Sequence, residues 1–336
     1  MVSIIIPVLN EEKNIRLCLK RVYSQTYRNF EVIVFDNGST DQTSSIVRKE
    51  FPAVKIFNSP KNLFVGGAMN YCLKNFNLRK YILLLCSDVI LDPNFLEEGT
   101  KILDKKPDVG VVQGKILKFD SKNNKKTNII DTTGFEFFRN RRIINRGHGQ
   151  IDQNQYPEGD IFSFEGAVAL FRHSSLLDSM INNEFFDQDF EWMADDLDLG
   201  WRMNLFGWRN YYCPRLIAYH DRKTTKRTSR GRLDFIRQRK TIPAKKRMLD
   251  FCNFHLTIVK NDNIPWPDWP GFLWREIQLW IYVFVFEWST WPAIIRMIKL
   301  LPKTIRKRKE IMNKIKSKVK NQKSKMKIKS QRIKIK

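Results

Sequence analysis

The chain has no apolar run long enough to cross a bilayer. Its most hydrophobic stretch, Pro265 to Leu301, is interrupted by Arg275, Glu276, Glu287, Arg296 and Lys299, and its longest uncharged piece falls far short of the ~20 residues a spanning helix needs. A signal peptide is also missing from the reading: Ile4 to Leu9 is too short for an h-region, has no basic lead and runs straight into strand-helix patterning, so the catalytic part is expected in the cytosol. Cysteine is sparse. Cys18, Cys72, Cys86, Cys213 and Cys252 are scattered without metal-ligand spacing, and several lie inside apolar runs where a free thiol acts as a small hydrophobe, so neither disulfides nor zinc are implied. Negative charge is scarce too, with 35 Asp and Glu against 60 Lys and Arg. The excess is local: Lys303 to Lys336 holds 16 Lys or Arg and only Glu310, which leaves about +10 of the net +25 on everything before it.

What is present is an alternation of strand and helix. Strand patterns fall at Val2 to Pro7, Glu31 to Phe35, Val54 to Asn58 and Tyr81 to Cys86, separated by helical patterns at Asn14 to Ser24, Thr43 to Phe51 and Gly67 to Phe76. This predicts an α/β fold with a parallel, doubly wound sheet. A helix from Asn94 to Asp104 follows, with Asp92 as its expected N-cap beside Pro93. Lys118 to Asn128 is too charged and amide-rich for a core and reads as a mobile loop. Short strand-like pieces fill 129 to 172, helical patterning returns at Phe185 to Phe206, and Tyr211 to Tyr219 reads as a strand ending at His220.

The first two strands both run into acidic or amide residues, Leu9-Asn10-Glu11-Glu12 and Asp36-Asn37-Gly38-Ser39-Thr40-Asp41. These mark the carboxyl edge of a parallel sheet, where open α/β folds bind ligands, and a nucleotide is the expected occupant. Asp36 beside Pro7, Leu9 and Glu11 offers a polar partner and an apolar seat for a base; equally, it can open an Asx turn at Asn37-Gly38. Gly66-Gly67 ahead of a helix suits either close approach of a diphosphate or tight packing on the sheet, and Asn62 is equally open.

Five segments in order, Ser3-Ile-Ile-Ile-Pro-Val-Leu-Asn-Glu-Glu, Val34-Phe-Asp-Asn-Gly-Ser-Thr-Asp, Asn62-Leu-Phe-Val-Gly-Gly-Ala-Met-Asn, Leu85-Cys-Ser-Asp and Asp195-Asp-Leu-Asp-Leu-Gly-Trp-Arg, make the region Met1 to His220 resemble glycosyltransferase family 2. Glu165-Gly-Ala-Val-Ala-Leu-Phe-Arg, Asp131-Thr-Thr-Gly and Tyr219-His220 look most like its rhamnosyltransferase-like branch. The resemblance implies a GT-A fold with C-terminal amphipathic helices and a basic tail, a nucleoside-diphosphate-sugar donor, Mg²⁺ or Mn²⁺, and inversion at the anomeric carbon. It implies donor contacts from Pro7, Leu9, Glu11, Asp36, Asn62, Gly66, Gly67, Ser87 and Asp88, with a glycan or lipid-linked acceptor.

The departing diphosphate concentrates negative charge, which a cation held by Asp88 would stabilise, with His220 a further candidate ligand or a structural histidine. The family often has an acid where Cys86 stands, and a thiol suits Mg²⁺ or Mn²⁺ poorly. An inverting transfer needs one base for the acceptor hydroxyl, and the pair Asp195-Asp196 supplies it: Asp196 as base, Asp195 in support, or both simply complementing a helix dipole. Asp198, four residues before Arg202, is expected to form a structural ion pair. Three regions follow: a GT-A domain over 1–225 (nucleotide half to about 117, acceptor half from 118), a helical and membrane-associated region over 226–302, and a Lys-rich tail over 303–336, disordered or helical. Six Trp between Pro265 and Leu301 beside basic residues suit an anionic membrane surface, on the cytoplasmic face; the alternative is a C-terminal cover for the core with a solvated tail. A nucleotidyltransferase would carry a Gly-rich basic loop after the first strand, and none is there; a nucleic-acid-binding arm lacks an aromatic-basic recognition module.

Overall fold

The computed structural model describes residues 1–121, 123–222, 239–263 and 265–334, with side chains to 320. Strand β1 (Val2–Val8) is buried along its whole length and apolar but for Ser3, because the sheet is covered on both faces. Ile4, Ile6 and Val8 point into one buried layer while Ile5 points into the other, and β4 (Tyr81–Leu85) divides its side chains the same way. Helix α1 (Ile15–Tyr23) brings Ile15, Cys18, Leu19 and Val22 to the first layer at helical spacing. Helix α4 (Phe95–Lys105) joins it there through Phe95, Leu96, Ile102 and Leu103. The opposite layer holds Ala68, Met69, Cys72 and Leu73 of α3 (Phe64–Asn75), Leu176 of α5 (His173–Ser179), and Leu199 and Met203 of α6 (Asp195–Leu205).

With β2 (Phe30–Asp36) and β3 (Lys55–Asn58), the first strands form a parallel run in the order β3-β2-β1-β4. The doubly wound expectation holds to this point and then changes. Strand β11 (Val168–Arg172) inserts antiparallel beside β4, and β6 (Val109–Asp120) lies between β11 and β12 (Arg209–His220), so the sheet is mixed. Residues 118–128, expected as a mobile loop, instead belong largely to a hairpin of β6 with β7 (Lys125–Thr132). Their charge fits an exposed edge, where the first residues of β7 face water and Ile130 to Thr132 are buried. Asp92 does not cap α4 with its side chain; its carboxylate takes Lys126 Nζ at 2.6 Å, and only its carbonyl receives Phe95 N.

The C-terminal region is helical. Helices α7 (Ala244–Asn261), α8 (Trp269–Phe286) and α9 (Pro292–Lys334) share a core in which Phe251, Cys252, Leu256, Val283 and Ala293 enclose Phe190 from the loop before α6. The Lys-rich tail is thus helical as far as Lys334, and the boundary expected near 225 falls outside the described residues.

Candidate active site

Register puts the ends of three strands along one edge. Val8 lies opposite Asp36, and Ile5 opposite Leu84, so Asp36 and the Ser87-Asp88 turn sit two strands apart, about 10 Å at the usual inter-strand spacing. Asp36 is fully buried. One carboxylate oxygen accepts Ser39 N at 2.7 Å, and the other accepts the Ser44 hydroxyl and Asn58 Nδ2, the Asx-turn arrangement. Asn10, at φ 55°, clasps that turn by accepting Thr40 N at 2.8 Å and donating its own N–H to Ser39 Oγ. Pro7 is buried, Leu9 is exposed at the edge, and Glu11 accepts Asn14 Nδ2 at 2.6 Å. Asn62 accepts Phe64 N at 2.7 Å as α3 begins, three residues before the start expected at Gly67. Gly66 and Gly67 therefore lie inside the first turn rather than ahead of it. A Cβ on Gly66 would stand 3.0 Å from Phe186 Cβ and 3.2 Å from an Asp195 carboxylate oxygen, so the missing side chain lets α3 close against the acidic pair.

Beyond β4 the chain forms a buried charge cluster. Ser87 is buried, and Asp88 lies 3.5 Å from His220 Nε2. The other ring nitrogen of His220 bonds to Asp131 Oδ2 at 2.9 Å; Asp131 also accepts Arg222 Nε at 2.7 Å, and Arg222 reaches Glu165 at 2.7 Å. Burial works against a proton on His220, but the hydrogen bonds and charges of Asp131 and Asp88 prevail and push it up to about 10. Burial likewise opposes the charge of Asp131, and His220 with Arg222 holds it well below the usual carboxylate range. The same field that keeps a proton on His220 favours a dication between Asp88 and Nε2, with Asp131 orienting the ring from behind. Among the described residues no cluster of three His, Cys, Asp or Glu side chains could hold a metal. Asp88 and His220 Nε2 are two donors, so a cation held there would need the rest of its shell from other groups, such as diphosphate oxygens. Burial, with Asp88 and Glu165 nearby, pushes the Cys86 thiol far up, which keeps it protonated and unsuited to ligation.

Asp195 and Asp196 open α6, as the sequence predicts, and both are half-buried. Asp196 accepts Gly166 N at 2.8 Å and Leu197 N at 2.7 Å. Burial first, then the charges of Asp195 and Glu165, raise it well above the ordinary range; burial also pushes Asp195 up to about 6. Gly166 follows Glu165 directly, so the acidic pair and the Asp88–His220 cluster meet across the turn into β11.

The loop delivering the pair is strained. Glu191, Met193 and Ala194 have φ of 56°, 73° and 63°. A single amide holds it: Asn253 Nδ2 on α7 donates to the carbonyls of Phe190, Trp192 and Met193 at 2.8, 2.9 and 3.0 Å. Ions hold its two sides. Lys260 and Lys307 converge on Asp187, Lys307 and Lys303 reach Asp189, and Asp198 receives Arg202 at 3.0 Å as expected, along with Lys260 and Asn261. Sequence reasoning missed Arg222, Asn253, Lys260 and Lys307. Only Arg222, two residues beyond the singled-out His220, lay near a legible signal.

A family model described as glycosyl transferase family 2 matches residues 3–177, more than half of the chain. The chain belongs to that family. This family member is 24% identical over 320 residues to a dolichyl N-acetyl-α-D-glucosaminyl phosphate 3-β-D-2,3-diacetamido-2,3-dideoxy-β-D-glucuronosyltransferase of Methanococcus voltae, covering 90% of this chain and 88% of that one. It is 25% identical over 223 residues to the poly-β-1,6-N-acetyl-D-glucosamine synthase of Staphylococcus epidermidis, covering 65% of this chain; it spans about half the length of that synthase. In fold it is similar to a mannosyltransferase of Pyrobaculum calidifontis solved with GDP-mannose and Mn²⁺, with a TM-score of 0.52 at 19% identity over 90% of this chain and 75% of that one. It is a glycosyltransferase of that family with a GT-A-like fold.

Proposed function

We propose that this glycosyltransferase moves one sugar from a nucleoside diphosphate to a hydroxyl of a glycan or lipid-linked acceptor, with inversion, in the synthesis of a cell-surface polysaccharide. The observation that carries the reading is the junction of Asp196 with the Asp88–His220 cluster through the Glu165-Gly166 turn, an elevated carboxylate beside a site suited to a diphosphate and its cation. The base and ribose lie along the edge at Pro7, Leu9, Glu11 and Asp36, with the diphosphate reaching Asn62, Gly66, Gly67, Ser87 and Asp88. Asp88 and His220 would hold Mg²⁺ or Mn²⁺, which neutralises charge on the departing diphosphate.

Asp196 then takes the acceptor hydroxyl proton. The freed oxygen forms its bond to the anomeric carbon from the face opposite the diphosphate, and the anomeric C–O bond breaks with its electron pair leaving on the diphosphate. Asp195 supports Asp196 by keeping local negative charge high enough to make it a stronger base. Rhamnose is the sugar we favour, because the three segments behind the branch resemblance supply Asp131, Glu165 and His220, which join through Arg222 into one cluster. The two relatives supply the acceptor classes: one is named for a dolichyl phosphate glycan, the other for a polysaccharide. The division of labour is a donor half to about 117, an acceptor half to 225, a membrane-associated region over 226–302 and a basic tail, on the cytoplasmic face of a membrane.

Thermal-shift screening against UDP-, GDP- and dTDP-sugars, with and without Mn²⁺, tests the donor; stabilisation by none of them refutes the reading. Asp196→Asn is expected to abolish transfer while keeping the donor-induced shift, and retained turnover removes Asp196 from the base role.

A further inference from the structure

Helix α8 presents its apolar side to solvent. Trp274, Ile277, Ile281 and Phe284 recur at steps of three and four residues and are exposed, Trp274 by 62%, and so are Leu273 beside them and, by 71%, Trp288 in the short turn after α8. Only Val283 of α8 is fully buried. The stripe continues through Trp291 in that turn and Ile295, Ile298 and Ile305 on α9, so two successive helices leave apolar faces open. A contiguous patch of this kind marks an interaction surface.

Its charge chooses the partner. Every carboxylate between Pro265 and Glu310 is turned into the protein. Asp268 pairs with Arg139 and Arg141, Glu276 with His255 and Arg275, and Glu287 with Arg239, while Glu310 receives Asn182 N. Exposed cations of the same stretch, Lys299, Arg306 and Lys309, remain outward. Aromatic and aliphatic side chains followed along α9 by exposed cations match the boundary of an anionic bilayer, where Trp and Phe enter the headgroup zone and Lys and Arg meet lipid phosphates. A second copy would bring the same cations face to face. No helix among the described residues is long and apolar enough to cross a membrane, so docking here means lying on the surface.

We propose that the outer faces of α8 and α9, with the turn between them, form a docking surface for an anionic membrane leaflet, with Trp274, Ile281 and Trp288 as its inserted anchors. The proposal gives residues to the membrane partnership above and is independent of the transfer chemistry, since vesicle binding needs no donor.

The test uses the full chain and vesicles of phosphatidylcholine with or without about one-third phosphatidylglycerol. The protein is expected to float with the anionic vesicles, to be released by high salt, and to have its Trp fluorescence quenched by lipids brominated near the headgroups. Trp274→Glu with Ile281→Glu is expected to weaken binding about tenfold or more at an unchanged melting temperature. Lack of flotation by the wild type overturns the proposal, as does binding that survives the double substitution. Sedimentation velocity giving a dimer that the substitutions dissociate assigns the face to a second copy instead, and a salt-sensitive nucleic-acid shift with no vesicle binding assigns it to nucleic acid. Should the variant fail to fold, quenching of the wild type decides alone. Transfer to a soluble acceptor that persists in the unbound variant separates the two readings.

Discussion

Replacing Asn253 with Leu removes a residue that touches neither donor nor acceptor in the proposed reaction, yet it should damage catalysis. The two N–H groups of the buried amide are shared among three main-chain carbonyls of the loop before Asp195, and each lost bond to a buried group costs about 1 kcal/mol net, about 2 kcal/mol in all. Against these stand three non-glycine residues at positive φ, each storing about 1 kcal/mol or more. The lost bonds, about 2 kcal/mol, are of the order of the strain, about 3 kcal/mol, so Asn253 is a main hold on the strained course of Glu191 to Ala194, beside the grip of Arg296 on Glu191 at 2.9 Å. Without the amide the loop should relax to negative φ and turn Asp195 and Asp196 away from Gly166. Steady-state kinetics with donor and acceptor varied separately are the assay. The expected result is a fall in kcat of about a hundredfold, the loss a misplaced catalytic group brings, with donor KM nearly unchanged because Asp36 and Asp88 stand on other elements. Ala194→Gly in the same background relieves one strained residue and should recover part of the stability but not the rate. A variant that melts lower yet keeps kcat within a few fold of wild type would refute the reasoning, since the loop would then hold its course unaided.

Other expectations follow from the same geometry. His220→Gln should weaken Mn²⁺-dependent donor stabilisation in thermal shift at least tenfold, since it removes one of two proposed protein ligands and the partner of Asp131. The acid limb of the kcat–pH profile should lie above the ordinary carboxylate range, because Asp196 must be ionised to act and its proton is held tightly; a limb near pH 4 would contradict the assignment. Asp195→Asn should raise the melting temperature at pH 7. The folded-state pKa of Asp195, about 6, lies above its unfolded value, so its protonation favours the fold at low pH and that contribution is lost as pH climbs to about 6. Lys307→Met should lower stability by about 2–3 kcal/mol at neutral pH, measured by urea unfolding, because Asp187 would keep only Lys260. Burial opposes the charge of Asp187 but the two lysines outweigh it and depress its pKa. Its contribution is therefore full above the usual carboxylate range and fades as pH falls below it, so the variant and wild type should converge toward acid.

The parallel half of the sheet was legible because strands buried on both faces are almost wholly apolar, and β1, but for Ser3, and β4 are. The acids that end them were legible for the same reason: an apolar run that stops at Asp36 or just before Asp88 announces an edge. The hairpin of β6 and β7 hid behind its own solvent exposure, since an edge strand reads as polar and Lys125 to Asn128 look like loop. The start of α3 was misplaced because Gly66 and Gly67 suggest a turn, whereas here they serve close packing against Asp195 within the helix. The loop at Glu191 to Ala194 had no signal. Its left-handed residues are Glu, Met and Ala, types that give no warning of positive φ, and the amide that holds them is a lone Asn in a distant helix.

The C-terminal helices show why composition alone could not decide between a membrane foot and a cover for the core. They are both. The inward side of α7 and α9 supplies Asn253, Lys260 and Lys307 to the loop carrying the proposed base, and the outward side of α8 and α9 is apolar and free of unpaired acid. Lysines that look alike in sequence divide accordingly: Lys307 is buried against Asp187, and burial opposes its proton only to be outweighed by that carboxylate, while Lys309 two residues on is exposed. Deleting the region to test membrane binding would therefore strip the supports from the catalytic loop and expose Phe190, confusing two functions. Substitutions on α8 separate them, because neither Trp274 nor Ile281 belongs to the buried cluster that encloses Phe190.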